Sequence, residues 1–378
     1  MCVAHINGRI INPTGVKGCA QKEHFTVNNW MAAISFLFLV ATFFASTCLG
    51  SDQEGLPLPQ RNKAFGVRCP PAMCIIPQGF LLNRRDQVFG IHFIDGSRGW
   101  IVGGAGLALM TTDGGRSWQR KTISEGIFYD IFFIGEKGWI VGESGLILHT
   151  NDGGESWHRQ PCNVSLSLMC VRFLDRSKGF AVGADGTILR TVDGGLSWKI
   201  VDFDWMSFLP MELLDAGILS INLYDIIFIN KTSGWIVGDS GTILHSEDGG
   251  RKWRIAHVGL LPHLYSISFV NDKEGWAVGQ NGFSLKTSDG GKTWKRVILE
   301  KENSLYKIRM CQNYGIIVGD QATIIETNDG GKTWDKVATD LDPPYPWLAD
   351  AWILPSNSAK VLSVGMGIIL KTGIIPKK

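Results

Sequence analysis

Gly138-Trp-Ile-Val-Gly142-Glu-Ser-Gly145-Leu-Ile-Leu-His-Thr150-Asn-Asp152-Gly-Gly-Glu-Ser-Trp157 decides the fold, because the chain repeats it. Copies of its two halves are Gly99-Trp-Ile-Val-Gly103 with Asp113-Gly-Gly-Arg-Ser-Trp118, and Gly179-Phe-Ala-Val-Gly183 with Asp193-Gly-Gly-Leu-Ser-Trp198. Further on come Gly234-Trp-Ile-Val-Gly238 with Asp248-Gly-Gly-Arg-Lys-Trp253, Gly275-Trp-Ala-Val-Gly279 with Asp289-Gly-Gly-Lys-Thr-Trp294, and Gly315-Ile-Ile-Val-Gly319 with Asp329-Gly-Gly-Lys-Thr-Trp334. Successive aspartates lie 39, 41, 55, 41 and 40 residues apart, the blade period of a propeller. Each unit reads as four short strands: Tyr129–Ile134, then Trp-Ile-Val, then Leu146–Thr150, then a strand opening at the Trp. The middle strands are joined by a turn ending in Gly and the last two by Asp-Gly-Gly, the strongest short hairpin signal.

One such sheet leaves both apolar faces wet, so units must pack face to face and close a ring. A seventh unit, Leu348–Leu354, Val361–Gly365 and Ile368–Thr372, lacks its fourth strand. The fold expected is therefore all-β: a seven-bladed β-propeller of four-stranded antiparallel blades, with an N-terminal strand over Cys74–Leu82 completing the last blade and covering its edge. The surplus among the 46 Gly is largely accounted for by the repeat, as are ten of the 14 Trp, in a chain of 378 residues.

From Phe25 to Ser51 there is no charged residue, and Trp30–Ala45 is almost continuously apolar, behind Arg9, Lys17 and Lys22. Residues 1–50 thus read as a signal peptide or membrane anchor, with Met31 an alternative start. Residues 51–75, with prolines 57, 59, 70 and 71, read as a linker, and 76–378 as the propeller. Export to the periplasm or cell envelope is expected. The formal net charge of +2 gives no basic field for nucleic acid. Cys69/Cys74 and Cys162/Cys170 are each open between a short disulfide loop and two thiols, and Cys311 falls where other units carry Ile or Leu, as a core hydrophobe.

The Ser/Thr-x-Asp-Gly-Gly-x-Ser/Thr-Trp box resembles the Asp-box, or BNR repeat, of sialidases, some glycoside hydrolases and sortilin-like receptors. Paired with Gly-Trp-x-Val-Gly, it is similar to the photosystem II assembly and stability factor family over residues 85–372. Lys252 departs from the box, and the seventh unit has none. By its chemistry the box is a fold staple, in which Asp113, Asp152, Asp193, Asp248, Asp289 and Asp329 accept N–H groups of their own turns. The resemblance implies a non-catalytic exported scaffold that binds a protein partner, a membrane-complex subunit under assembly. For a photosynthetic source, that subunit is a photosystem II reaction-centre protein at the thylakoid. No cofactor or metal is expected, and a monomer is.

Opposite the boxes, two enlarged connectors carry aromatics that no strand pattern requires: Trp205 and Phe208 in one, Tyr345 and Trp347 in the other. With the turn acids Glu143, Asp185, Asp239 and Asp320 these are the partner-binding candidates. Phe89, Tyr129, Met169, Tyr224, Tyr265 and Tyr306 share one register of the innermost strand and read as inter-blade packing with hydroxyls at the surface. The opposite parity, His92, Asp130, Arg172, Asp225, Lys307, Arg309 and Asp350, is expected to line the channel. The alternative function is a carbohydrate-binding or sialidase-like glycoside hydrolase propeller, with Asp130 and Asp225 as its carboxylates. The chain lacks the Arg-Ile-Pro motif and the shared arginine register of sialidases, which weighs against it.

Overall fold

The computed structural model describes residues 82–83, 85–218, 220–339, 341, 343–354 and 360–373. Seven antiparallel sheets follow one another along the chain; six have four strands in sequence order, and the seventh has three among the described residues. The innermost strands are Val88–Phe93, Phe128–Ile134, Leu168–Phe173, Leu223–Phe228, Leu264–Phe269, Leu305–Cys311 and Leu348–Leu354. This is the seven-bladed propeller expected. The strand predicted over Cys74–Leu82 lies outside the described residues except for Leu82, which packs against the core between the last and first blades. Among the described residues, no helix is long and apolar enough to cross a membrane.

Seven apolar clusters fill the seven gaps between neighbouring blades, one of them joining Leu354, Leu362 and Val364 of blade seven to Val88, Ile91 and Trp118 of blade one. The two halves of the repeated motif meet across these gaps. Trp100 of blade one is fully buried and donates its indole N–H to the Gly153 carbonyl of blade two at 2.9 Å. Gly154 beside it has φ +98°, and a side chain there would collide with the Trp100 ring; only Gly meets both demands. Trp235 under Gly291 repeats the contact, and Leu362 under Gly115 makes it across the closing gap.

The Asp-Gly-Gly turns are built as the sequence implied. Asp113 accepts N–H bonds from Arg116 and Ser117 at 2.8 and 2.9 Å and the Ser117 hydroxyl at 2.6 Å. Thr111 Oγ1 donates to the same carboxylate and accepts from Gly115. Asp152, Asp193, Asp289 and Asp329 repeat this pattern; Asp248 lacks the hydroxyl because Lys252 replaces Ser or Thr.

Two cysteine readings are settled. Cys162 and Cys170 are free thiols: Cys162 points at the Gly145 carbonyl, while Cys170 is buried against Asp225. Cys311 is exposed rather than core, because its strand ends there, against Tyr314 across a two-residue turn. Cys69 and Cys74 lie outside the described residues.

Candidate functional site

Every innermost strand carries a β-bulge at its start, and the extra residues are Phe89, Tyr129, Met169, Tyr224, Tyr265, Tyr306 and Ala349. A bulge re-aims one side chain out of the strand alternation. Here it builds a collar at the connector end of the channel. Neighbouring rings lie 5.3–5.7 Å apart for Phe89–Tyr129, Tyr224–Tyr265 and Tyr265–Tyr306. The Tyr224 and Tyr306 hydroxyls donate to Asp239 and Asp320 at 2.6 and 2.9 Å. Burial, then the facing Asp320 carboxylate, pushes the Tyr306 hydroxyl well above its ordinary range.

Behind the collar, the next register places Gly90, Asp130, Cys170, Asp225, Ser266, Lys307 and Asp350 around the axis. Each carboxylate bonds a backbone N–H of the following blade: Asp130 to Val171 (3.0 Å), Asp225 to Ile267 (3.3 Å) and Asp350 to Ile91 (3.2 Å). These acids therefore stitch blade to blade. Arg172 bridges Asp130 at 2.5 Å and Asp225 at 3.6 Å, Lys307 reaches Asp225 at 3.0 Å, and Arg309 grips Asp350 with two nitrogens at 2.9–3.1 Å. Burial opposes ionisation of Asp225, but Lys307, Arg172 and the Ser266 hydroxyl overcome it and hold the carboxyl at about 2. One tier further, Arg309 lies over the Trp352 ring at 4.8 Å, Arg172 over Phe132 at 5.6 Å, and His92 between them at 4.3 Å from Trp352 and 5.1 Å from Phe132. Burial and then the two guanidiniums keep the His92 imidazole neutral, far below its usual pKa.

All seven predicted channel residues thus fall into one network. It borders a cavity of about 290 Å³ whose wall includes Arg172, Asp225, Ser268, Lys307, Arg309 and Trp352. Among the described residues no cluster of His, Cys, Asp and Glu could hold a metal. Acid–base hydrolysis needs one carboxyl poised to hold a proton. Asp225 is held strongly ionised, and Arg172 lies between it and Asp130.

The connector face differs from expectation. Trp347 is buried, stacked on Phe89 at 5.7 Å, where it extends the collar. Trp205 is half-buried and pinned to the Gly186 carbonyl at 3.2 Å, against a base that includes Leu209 and Leu213 of the 201–222 connector. Both therefore build the loops instead of decorating them. Phe208 (54 % exposed) and Tyr345 do stand in solvent. They are joined by three residues that sequence reasoning passed over, Met211, Leu260 and Leu261, since an exposed apolar loop residue has no periodic signal. Of the turn acids, Glu143 and Asp239 bond the N–H groups of Ile127 and Asn222, and Asp239 also meets His263 at 2.9 Å. Asp185 occupies the next position of its turn, at φ 51°.

A family model described as photosynthesis system II assembly factor YCF48 matches residues 78–167 and 204–305, just over half of the chain. Among solved structures, YCF48 bound to a D1 peptide is 22% identical, with 81% of this chain and 99% of that chain covered and a TM-score of 0.63. YCF48 from Cyanidioschyzon merolae is 20% identical, covering 76% and 95%, with a TM-score of 0.59. The GH74 xyloglucanase from Xanthomonas campestris is 13% identical, covering 77% of this chain but 52% of its own, with a TM-score of 0.62. At these identities the structural likeness speaks for the fold. A search of curated protein sequences found no match.

Proposed function

The chain belongs to the family of the photosystem II assembly factor YCF48, and from that premise we propose that it is a non-catalytic assembly scaffold holding a peptide segment of a photosystem II subunit of the D1 type. The solved relative bound to a D1 peptide supports this choice of partner. One observation about this chain carries the reading. The 201–222 connector turns Leu209 and Leu213 into the core while leaving Phe208 and Met211 (66 % exposed) in water. A loop fixed from below, with apolar side chains on top, presents contact area without an ordering penalty. The ion-paired channel acids support the absence of catalysis.

The test is fluorescence anisotropy with a labelled D1-derived peptide. Phe208→Ser combined with Met211→Ser is expected to weaken binding about tenfold or more, with thermal stability unchanged. A chain that ignores the peptide, or a double variant that binds as the parent does, removes the proposal.

A further inference from the structure

The six Asp-Gly-Gly turns are internal controls for one another, and blade three fails the control. The residue before the Asp is Thr112, Asn151, Glu247, Ser288 or Asn328 in the other blades, and Val192 in blade three. The residue after Gly-Gly is Arg116, Glu155, Arg251, Lys292 or Lys332 elsewhere, and Leu196 here. Val192 is 53 % and Leu196 74 % exposed, and Ile200, two residues past Trp198, is 60 % exposed. Five turns of the same construction fold with polar residues at both positions, so the fold does not ask for apolar ones. A single exposed Leu needs no explanation, but three within nine residues of one blade edge do.

The surrounding charges also depart from the pattern. Lys137 of blade two has its ammonium beside Gly194 of this turn, and the loop carrying Arg176 and Lys178 packs against it, with Gly194 N–H bonded to the Ser177 carbonyl. Lys199 follows Trp198 on the same blade. Among the described residues these four cations make no ion pair, whereas Arg98, at the place in blade one that corresponds to Lys178, is bound by Asp95 and Glu136. The acids of the patch, Asp193 and Asp175, are exposed but engaged within their own turns: Asp193 accepts the Ser197 N–H and hydroxyl, and Asp175 accepts the N–H groups of Ser177 and Lys178 and feels the Lys178 charge.

We propose that this turn and the loop beside it seat the propeller on an anionic lipid bilayer, with Val192 and Leu196 entering the interface and the four cations meeting headgroups. A convex apolar tip ringed by unpaired cations suits a fluid, negatively charged surface, where apolar insertion and electrostatic attraction add. The contact is weak alone. Stable attachment takes two signals, and the uncharged run Phe25–Ser51 of this chain supplies the chemistry of a second one. The surface is on the opposite face from Phe208 and Met211, so a bilayer and a peptide do not compete.

The experiment is hydrogen–deuterium exchange on the full chain reconstituted in phosphatidylcholine vesicles with and without phosphatidylglycerol. Exchange over 175–178 and 191–200 is expected to slow by about fivefold or more with phosphatidylglycerol. The protection should vanish in Val192→Asn/Leu196→Glu, residues that blade two carries in the same places. Unchanged exchange in those segments, equal protection on neutral vesicles, protection in detergent solution from self-association or a protein contact, or protection surviving the double substitution would each overturn the proposal. Peptide binding by the double variant is measured in parallel, so loss of lipid contact and loss of partner binding are separable.

Discussion

Two sets of aspartates hold this propeller, and they work on different scales. Those of the Asp-Gly-Gly turns accept N–H groups three and four residues ahead, stand largely in water, and repeat blade after blade. Those of the channel, Asp130, Asp225 and Asp350, accept an N–H from the next blade, are almost fully buried, and are matched by cations from other blades. The first set shapes single hairpins, while the second ties blades into a ring. A local staple is replaceable in any one copy, whereas a member of a buried network is not.

That contrast is broken most directly at Asp225. Asp225→Ala leaves Lys307 and Arg172 short of a partner inside the channel and removes the bond to Ile267. Losing one side of a buried pair is worth about 3–5 kcal/mol, read as a large fall in the urea midpoint. Adding Lys307→Met should return part of the loss, because fewer cations are then stranded. If Asp225→Ala unfolds no more easily than Asp152→Ala, the two sets are equivalent and the comparison fails.

The same contrast explains what the sequence disclosed. The turns, the blade count and the parity of the channel residues follow from local periodicity, so Asp113 through Asp329 and the line from His92 to Asp350 were readable without coordinates. Which acid meets which cation was not, because Arg172 and Asp130 are 42 residues apart and meet only once neighbouring blades pack on each other. The connectors were legible only as insertions. Nothing in the sequence marks that Trp347 stacks on Phe89 and is buried, and an exposed Met211 carries no signal at all. The odd residues of blade three, Val192 and Leu196, were printed in the repeat, yet they acquire meaning only when exposure is known.

Mild acid reaches the channel histidine, whereas strong acid reaches both sets of aspartates, since Asp225 is held at about 2 as Asp113 and Asp193 are. The folded pKa of His92 is depressed, so the unfolded chain binds a proton that the native channel refuses. Stability then falls as pH drops below about 6.5, by at most about 1.4 kcal/mol per pH unit. The Asp113 and Asp193 carboxyls, held at about 2 by Ser117 and Ser197 and their turn N–H groups despite the opposing effect of burial, contribute fully above pH 4. Their share is lost as pH falls from about 4 toward 2. Urea unfolding at stepped pH should therefore show a slope between pH 6.5 and 5 that His92→Phe reduces, Phe being what blade two carries at Phe132, with the remainder coming from His149 and His245, whose imidazoles burial also depresses. A slope unchanged by that substitution would mean that the channel does not exclude the proton.

The smallest effect tests the local set by repair. In blade four the carboxylate of Asp248 receives the Lys252 and Arg251 N–H bonds and the Ser246 hydroxyl but no second hydroxyl, since Lys252 stands where Ser117, Ser156, Ser197, Thr293 and Thr333 donate theirs. Lys252→Thr restores the missing donor at an exposed position where no packing changes. A charge-assisted bond at the surface is worth up to about 1 kcal/mol, so the melting temperature should rise by a few degrees at most. The gain should disappear in the Asp248→Asn background, where the acceptor is no longer charged. A gain that persists there would come from removing the lysine charge, and the hydroxyl would then be dispensable to the turn.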